Sequence, residues 1–352
     1  MPSLMKSAVR ITSIFCTASL LLAVPLAAQW TPVDSAPAQN SWNAVTHGSG
    51  GFVAVNGFGR IATSTDGGRN FSETGNFSGN NVIFDDVRYG MISAGASSGS
   101  NGYLAVGTSG STNYIYESLD GQSWTDVTAN YGPYFAGTKV RNVGVGAGNS
   151  LTIGASNSEF GHAIYDGSGF TAMGKFGFDA QDIYTSNDGE TYTRTTSDYA
   201  FEANGGLYTG SGFLLVGTDR PNPRVAATAM VTDFSGTPTI NVIAGTTGYL
   251  SAVVDANGTY VAVGGSDNFT DMNAFSSIDG TSWTRDTHSG SGNAFFDLGD
   301  IAYDGSGNLV AVGAYGIVQR SLSAVPEPGS AALWLGVISF CAIAQRRRRT
   351  SR

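Results

Sequence analysis

Gly307-Asn308-Leu309-Val310-Ala311-Val312-Gly313 is a turn, a short run of strand-forming residues and a glycine, and the chain repeats it. The same phrase stands at Gly258-Thr259-Tyr260-Val261-Ala262-Val263-Gly264 and at Gly212-Phe213-Leu214-Leu215-Val216-Gly217. Earlier copies are Gly102-Tyr103-Leu104-Ala105-Val106-Gly107 and Gly51-Phe52-Val53-Ala54-Val55, the latter before Gly57. A weaker one is Asn149-Ser150-Leu151-Thr152-Ile153-Gly154. Short β-branched and aromatic runs bounded by Gly and Asn read as strands. The closing glycines 57, 107, 154, 217, 264 and 313 lie 50, 47, 63, 47 and 49 residues apart. A unit of that length holds four short strands with their turns, the size of one β-propeller blade. Six copies predict an all-β, six-bladed propeller over residues 29–324. The alternatives are a β-sandwich and a right-handed β-helix, and the helix would repeat at a much shorter period.

A second phrase follows at a distance. Its copies are Ser64-Thr65-Asp66-Gly67-Gly68-Arg69-Asn70-Phe71, Ser118-Leu119-Asp120-Gly121-Gln122-Ser123-Trp124, Ser186-Asn187-Asp188-Gly189-Glu190-Thr191-Tyr192 and Ser277-Ile278-Asp279-Gly280-Thr281-Ser282-Trp283. Asp accepts backbone N–H bonds across a tight turn and Gly takes its positive φ. These copies resemble the Asp-box, or BNR repeat, of sialidase-type propellers. The first has that pattern's spacing with Phe71 in place of Trp, and the others are one residue shorter. The resemblance implies that Asp66, Asp120, Asp188 and Asp279 are structural turn residues, away from any active site. The fourth unit has only Thr232-Asp233-Phe234-Ser235-Gly236 as a substitute.

The circle closes by counting. Each box aromatic opens an outermost strand, as in Trp124-Thr125-Asp126-Val127 and Trp283-Thr284-Arg285-Asp286. The sixth unit ends at Val318-Gln319-Arg320-Ser321 with no such strand, and Trp30-Thr31-Pro32-Val33 has the missing pattern. The start of the body is therefore expected to supply the last blade's outer strand, which removes an exposed edge. The third unit is about 15 residues longer than its neighbours, and Phe170 to Asp182 reads as an inserted loop or additional hairpin.

The two ends read as address labels. Lys6 and Arg10 precede an uncharged apolar run from Ile11 to Ala27, and Leu26-Ala27-Ala28 offers a cleavage point before Gln29. That is the layout of a secretory signal peptide over 1–28. At the other end Val325, Pro326, Glu327 and Pro328 lead into an uncharged stretch of 18 residues, Pro328 to Gln345, and then come Arg346, Arg347, Arg348 and Arg349. A helix of that length reaches about 27 Å, enough to cross a bilayer, and the arginines hold its end on the cytoplasmic side. The segment 325–352 resembles the PEP-CTERM sorting signal of bacterial exported proteins, also catalogued as the ice-binding protein C-terminal domain. The resemblance implies recognition of the Pro-Glu-Pro motif by an exosortase, transient anchoring in the membrane, and a final place on the outer surface or outside the cell. It also implies a Gram-negative, exopolysaccharide-making source.

Charge and chemistry narrow the body further. Seven of the 18 Lys and Arg but one of the 27 Asp and Glu lie in 1–28 and 325–352, which leaves 11 basic against 26 acidic residues, net −15. Phosphate binding needs a basic face, so no nucleic-acid partner is expected. Cys16 and Cys341 both fall in the ends, which removes disulfides and thiolate zinc sites from the body. His47, His162 and His288 are far apart and form no zinc motif. Gly144-Val145-Gly146-Ala147-Gly148 lacks the spacing of a nucleotide loop. Sialidases use three arginines and a Tyr/Glu pair, and no such set aligns with the body's nine arginines, so no catalytic residue is assigned. No cofactor is assigned either, beyond calcium at Ser266-Asp267-Asn268-Phe269-Thr270-Asp271, where Asp267 and Asp271 offer carboxylates. Three functions remain open: a non-catalytic propeller binding exopolysaccharide or a surface protein, a secreted glycoside hydrolase, and a structural surface component.

Overall fold

The repeated phrase folds as the second strand of a sheet, and the sheets stand around an axis. The computed structural model describes residues 29–37, 41–92, 97–135, 139–156, 159–175, 181–189, 192–199, 201–219, 224–267, 273–289 and 297–322. The first blade is β2 (Trp42–Gly48), β3 (Gly51–Asn56), β4 (Arg60–Ser64) and β5 (Ser72–Asn76). The second is β6 (Ile83–Met91), β7 (Asn101–Ser109), β8 (Thr112–Ser118) and β9 (Thr125–Asp126). The hairpin β10 (Lys139–Val145) and β11 (Leu151–Ser156) forms a sheet of its own. Next come β12 (Glu159–Tyr165), β13 (Phe170–Lys175), β14 (Gln181–Ser186) and β15 (Thr193–Tyr199). They are followed by β16 (Glu202–Tyr208), β17 (Phe213–Asp219), β18 (Val225–Val231) and β19 (Thr239–Val242). The fifth blade is β20 (Tyr249–Asp255), β21 (Tyr260–Gly265), β22 (Asn273–Ser277) and β23 (Thr284–Arg285). The last is β25 (Leu298–Tyr303), β26 (Asn308–Gly313) and β27 (Gly316–Ser321), completed by β1 (Gln29–Pro32) and β24 (Thr287–His288). The inner strands β2, β6, β10, β12, β16, β20 and β25 pack side by side in a closed ring. The protein is a six-bladed β-propeller with a two-stranded spoke let in between the second and third blades.

That spoke corrects the reading of the long third unit. Phe170 to Lys175 is neither loop nor extra hairpin but the second strand of a full blade. Gly169-Phe170-Thr171-Ala172-Met173-Gly174 is a further copy of the phrase, 20 residues after Gly154 and 43 before Gly217. The insertion is the β10–β11 hairpin.

Each second strand is buried on both faces, which explains why its run is almost continuously apolar. Leu309 and Ala311 pack toward the fifth blade, whereas Val310 and Val312 pack toward the first. Similar cores fill most other seams. The closing glycines have a steric cause. A Cβ on Gly264 would lie 2.0 Å from the Tyr249 carbonyl oxygen, and one on Gly217 would lie 1.9 Å from that of Glu202. The same holds at Gly107 and Gly313, where the second strand presses on the start of the first. Gly57 differs, since its nearest neighbour would be Ser41 Oγ at 3.5 Å. Gly264→Ala is therefore expected to cost about 1–3 kcal/mol by overpacking and Gly57→Ala less than about 0.5 kcal/mol, measured as denaturant midpoints at constant slope.

The ring closes through its first strand. In β1, Thr31 pairs with Gln319 and Pro32 with Val318, antiparallel on β27. The other end of β1 runs parallel to β24, Trp30 opposite His288, which makes β24 the outermost strand of the last sheet. No α-helix occurs among the described residues, and no helix there is long and apolar enough to cross a membrane. Residues 1–28 and 325–352, with the expected leader, the apolar segment, Val325 to Pro328 and Arg346 to Arg349, lie outside the described residues.

Candidate functional site

The axis is built from the inner strands, and each carries a bulge at the same place. The register slips between Trp42 and Ala44, Phe84 and Asp86, Val140 and Asn142, and Phe160 and Ala163. It slips again between Ala203 and Gly205, Leu250 and Ala252, and Leu298 and Asp300. A bulge turns side chains off the pleat and frees backbone groups. Asn43 Nδ2 uses this to donate to the Phe84 carbonyl at 2.6 Å on the next strand, and Asn204 Nδ2 donates to Leu250 at 2.8 Å.

Two of the positions just past a bulge are acidic. Asp300 Oδ2 accepts the Val45 N–H at 3.0 Å, and Asp86 Oδ2 accepts the Val143 N–H at 2.9 Å. Arg88 lies between them. Its Nη1 is 3.0 Å from Asp300 Oδ2 and its Nη2 is 3.2 Å from Asp86 Oδ1. Nη1 also donates to the Val45 carbonyl at 3.3 Å. Four consecutive inner strands, β25, β2, β6 and β10, are thus stapled by three side chains. Burial pulls the Arg88 pKa down, but Asp300 and then Asp86 outweigh it and hold the guanidinium firmly charged. Both carboxylates are almost wholly buried.

The remaining channel is small, and the charged Arg88 and Asp300 stand in it among aliphatic side chains. Arg88 and Asp300 share the lining with Val143, Val145, Val254 and Ile301, around a volume of about 220 Å³. Small-molecule sites occupy roughly 300–1,000 Å³, so the axis holds less than a sugar ring with its hydration would need. Arg88 is the one arginine and no tyrosine appears among the described lining residues. Sequence reading passed over this trio because no motif joins Asp86 to Asp300. The available signal was Asp85-Asp86-Val87-Arg88, four residues with three charges inside an otherwise apolar strand.

The four Asp-Gly turns lie between third and fourth strands, away from the axis. Asp120 Oδ1 accepts the N–H groups of Gln122 and Ser123 at 2.8 and 2.9 Å and the Ser118 hydroxyl at 3.0 Å. Asp279 repeats this with Thr281, Ser282 and Ser277. Asp66 instead accepts from Arg69 and Asn70 because Gly67 adds one residue to its turn. Asp188 accepts the Ser186 hydroxyl at 2.7 Å. Asp233 accepts from Ser235 only. The glycine of each box presses on the second strand of the preceding sheet: Gly68 on Val310, Gly121 on Val53, Gly189 on Thr152 and Gly280 near Leu214. The turns therefore mortar neighbouring sheets, and Thr152 marks β11 as a true spoke.

These bonds favour the ionised carboxyls. The N–H groups of Ser123 and then Gln122 hold Asp120 below its usual range, and those of Ser282 and Thr281 do so for Asp279. At Asp66 burial pushes upward but the Asn70 amide and its companions prevail. A carboxyl with a lowered folded pKa adds stability that is complete above the unfolded value near 4 and is lost as pH falls through the folded value. The unfolding temperature is thus expected to fall steeply below about pH 4, and Asp120→Asn to flatten that fall while lowering stability at pH 7.

Asp267 is exposed in the turn after β21, Asp271 lies outside the described residues, and no described cluster of three His, Cys, Asp or Glu could hold a metal. His47 is half-buried at the end of β2, where burial lowers its pKa against the opposing pull of Asp304. His288 is exposed in β24.

Comparison with solved structures returns other propellers. YCF48 bound to D1 peptide superposes with a TM-score of 0.56 at 13% identity, covering 84% of this chain and 97% of that one. A streptogramin B lyase does so at 0.55 and 11%, covering 85% and 99%. A gluconolactonase from Xanthomonas campestris is matched at 0.49 and 11%, covering 84% and 90%. No protein-family model matches the chain, and neither does any curated protein. The first two likenesses establish the fold, and at such identity the fold alone.

Proposed function

We propose that this is an exported propeller that recognises a glycan or a protein in the cell envelope or matrix without catalysis. Its leader sends it through the inner membrane, and its Pro326-Glu327-Pro328 tail is handed to an exosortase. The observation that supports the non-catalytic reading is the state of the axial charges. Asp86 and Asp300 spend both oxygens on Arg88 and on backbone N–H groups, so neither is poised to move a proton. The same fold holds a peptide ligand in YCF48 bound to D1 peptide.

The sorting half is tested in an exopolysaccharide-making Gram-negative host. Full chain carrying Pro326→Ala and Pro328→Ala should stay in the inner-membrane fraction, while the unaltered chain reaches the surface. An identical distribution of the two would refute the tail's role. The catalytic half is tested by incubating the purified chain with host exopolysaccharide. No reducing sugar should be released, and steady release abolished by a single substitution would make the protein a hydrolase.

A further inference from the structure

The inner strands end at one face, in the turns that lead into the second strands. At that place β2, β6, β12, β16 and β25 carry His47, Tyr89, Tyr165, Tyr208 and Tyr303. Four of these rings pack on an aromatic partner across the hairpin. The centroid distances are 4.7 Å for His47 on Phe52, 4.9 Å for Tyr89 on Tyr103, 5.0 Å for Tyr165 on Phe170 and 5.4 Å for Tyr208 on Phe213. The rings are only partly covered, Tyr208 being 37% exposed. The turn beneath is shaped to fit: a Cβ on Gly48 would strike the Tyr89 ring at 2.1 Å. Ring surface thus lines five of the seven inner strands at this end, a belt interrupted by Val145 on β10 and Asp255 on β20.

The belt opens into a cavity of about 550 Å³ between the first and second blades. Its floor is the Gly48–Gly51 turn, and its walls are His47, Thr65, Asp120 and Gln122. The side chains of Ser49, Thr65 and Gln122 are exposed and make no bond within the protein among the described residues. All three are uncharged donors and acceptors. Carboxylates crowd the same face, because the turns after the first and third strands of an antiparallel blade open at one end. Asp66, Asp120, Asp166, Asp279 and Asp304 all sit in such turns. They repel an acidic polymer. Each also bonds its own turn's N–H groups, which leaves the uncharged groups to meet a ligand.

We infer that this face, from the His47–Gln122 cavity along the aromatic belt, binds a neutral glycan. Sugar C–H faces lie on the rings and hydroxyls bond Ser49, Thr65 and Gln122. The inference rests on the recognition reading above and names its ligand class and its surface.

Isothermal titration of the purified full chain with neutral glucan and galactan oligosaccharides, alginate oligomers and a tetra-arginine peptide tests it. At least one neutral sugar should bind, with an affinity that holds between 0.05 and 0.5 M NaCl, because no ion pair is involved. Tyr208→Ala and Gln122→Ala should each weaken it by about tenfold. Tyr315→Ala, in the β26–β27 turn at the other end, should leave it unchanged. Gln122 is exposed, so that variant folds even if an aromatic substitution disturbs its blade. Binding only of alginate or of the peptide, lost in salt, would overturn the neutral-glycan assignment. Sugar binding indifferent to Tyr208 and Gln122 would overturn the face and keep the recognition reading. Absence of any glycan binding would remove both the face and the glycan form of that reading.

Discussion

Trp30→Ala lowers the stability of the folded body by about 3–5 kcal/mol, the range for emptying a buried aromatic site. Trp30 is fully buried and lies in the core shared by the fifth and last blades. Its indole N–H donates to Asp286 Oδ2 at 3.0 Å. Asp286 is bound in turn by the Arg320 guanidinium and by Ser276, whose hydroxyl donates to Oδ1 at 2.8 Å. Arg320 lies 5.9 Å above the Trp30 ring. Burial lifts the Asp286 pKa against the pull of Arg320 and lowers that of Arg320 itself, so the pair is held together at a desolvation cost. Losing Trp30 opens a cavity, leaves this buried pair short of a donor, and loosens β1, the strand that pairs the start of the described residues with their final strand. Chemical denaturation should show a lower midpoint. A lower slope as well would mean that the ring had already opened before global unfolding. A change under about 1 kcal/mol would mean that closure is not what holds the blades.

Arg88→Met should cost a similar amount, about 3–5 kcal/mol, because it strands two buried carboxylates. Arg88→Lys should restore part of it, since a point charge cannot serve both carboxylates as the guanidinium fork does. The measurement is thermal unfolding of the parent, Arg88→Met and Arg88→Lys proteins at pH 7. An Arg88→Met protein as stable as the parent, yet unable to bind ligand, would turn the axial trio from a staple into a binding site and reverse the reading of the channel.

What could be read in the sequence was what repeats. The glycines at 107, 217, 264 and 313 recur because backbone crosses backbone there, and each repeat obeys the same steric demand. The pairing of Trp30 to Val33 with the final strand was legible because a ring of identical units leaves one strand unaccounted for. The two-stranded spoke was not legible. Its Leu151–Ile153 run and the Phe170–Met173 run that follows both look like second strands, and only the pairing, β11 with β10 alone and β13 between β12 and β14, reveals that they belong to different sheets. The axial trio was hidden for another reason. Asp86, Arg88 and Asp300 meet across three strands and 212 residues of sequence separate Arg88 from Asp300. The aromatic belt becomes visible only once the bulges fix the register, because one slipped residue would turn every ring to the opposite face.

The strand that closes the ring is also the first part of the body to be synthesised. Thr31 must wait for Gln319, 288 residues later. At roughly 5–20 residues per second that interval is about 15–60 s, during which the leading segment has nowhere to dock. Folding of this molecule is therefore governed by time as well as by contacts. Blades can form one by one as they emerge, but the edges of the first and last stay sticky until translation is nearly over. A chain that stops short of Gly316 lacks β27, the partner of β1, and leaves a wheel that cannot lock.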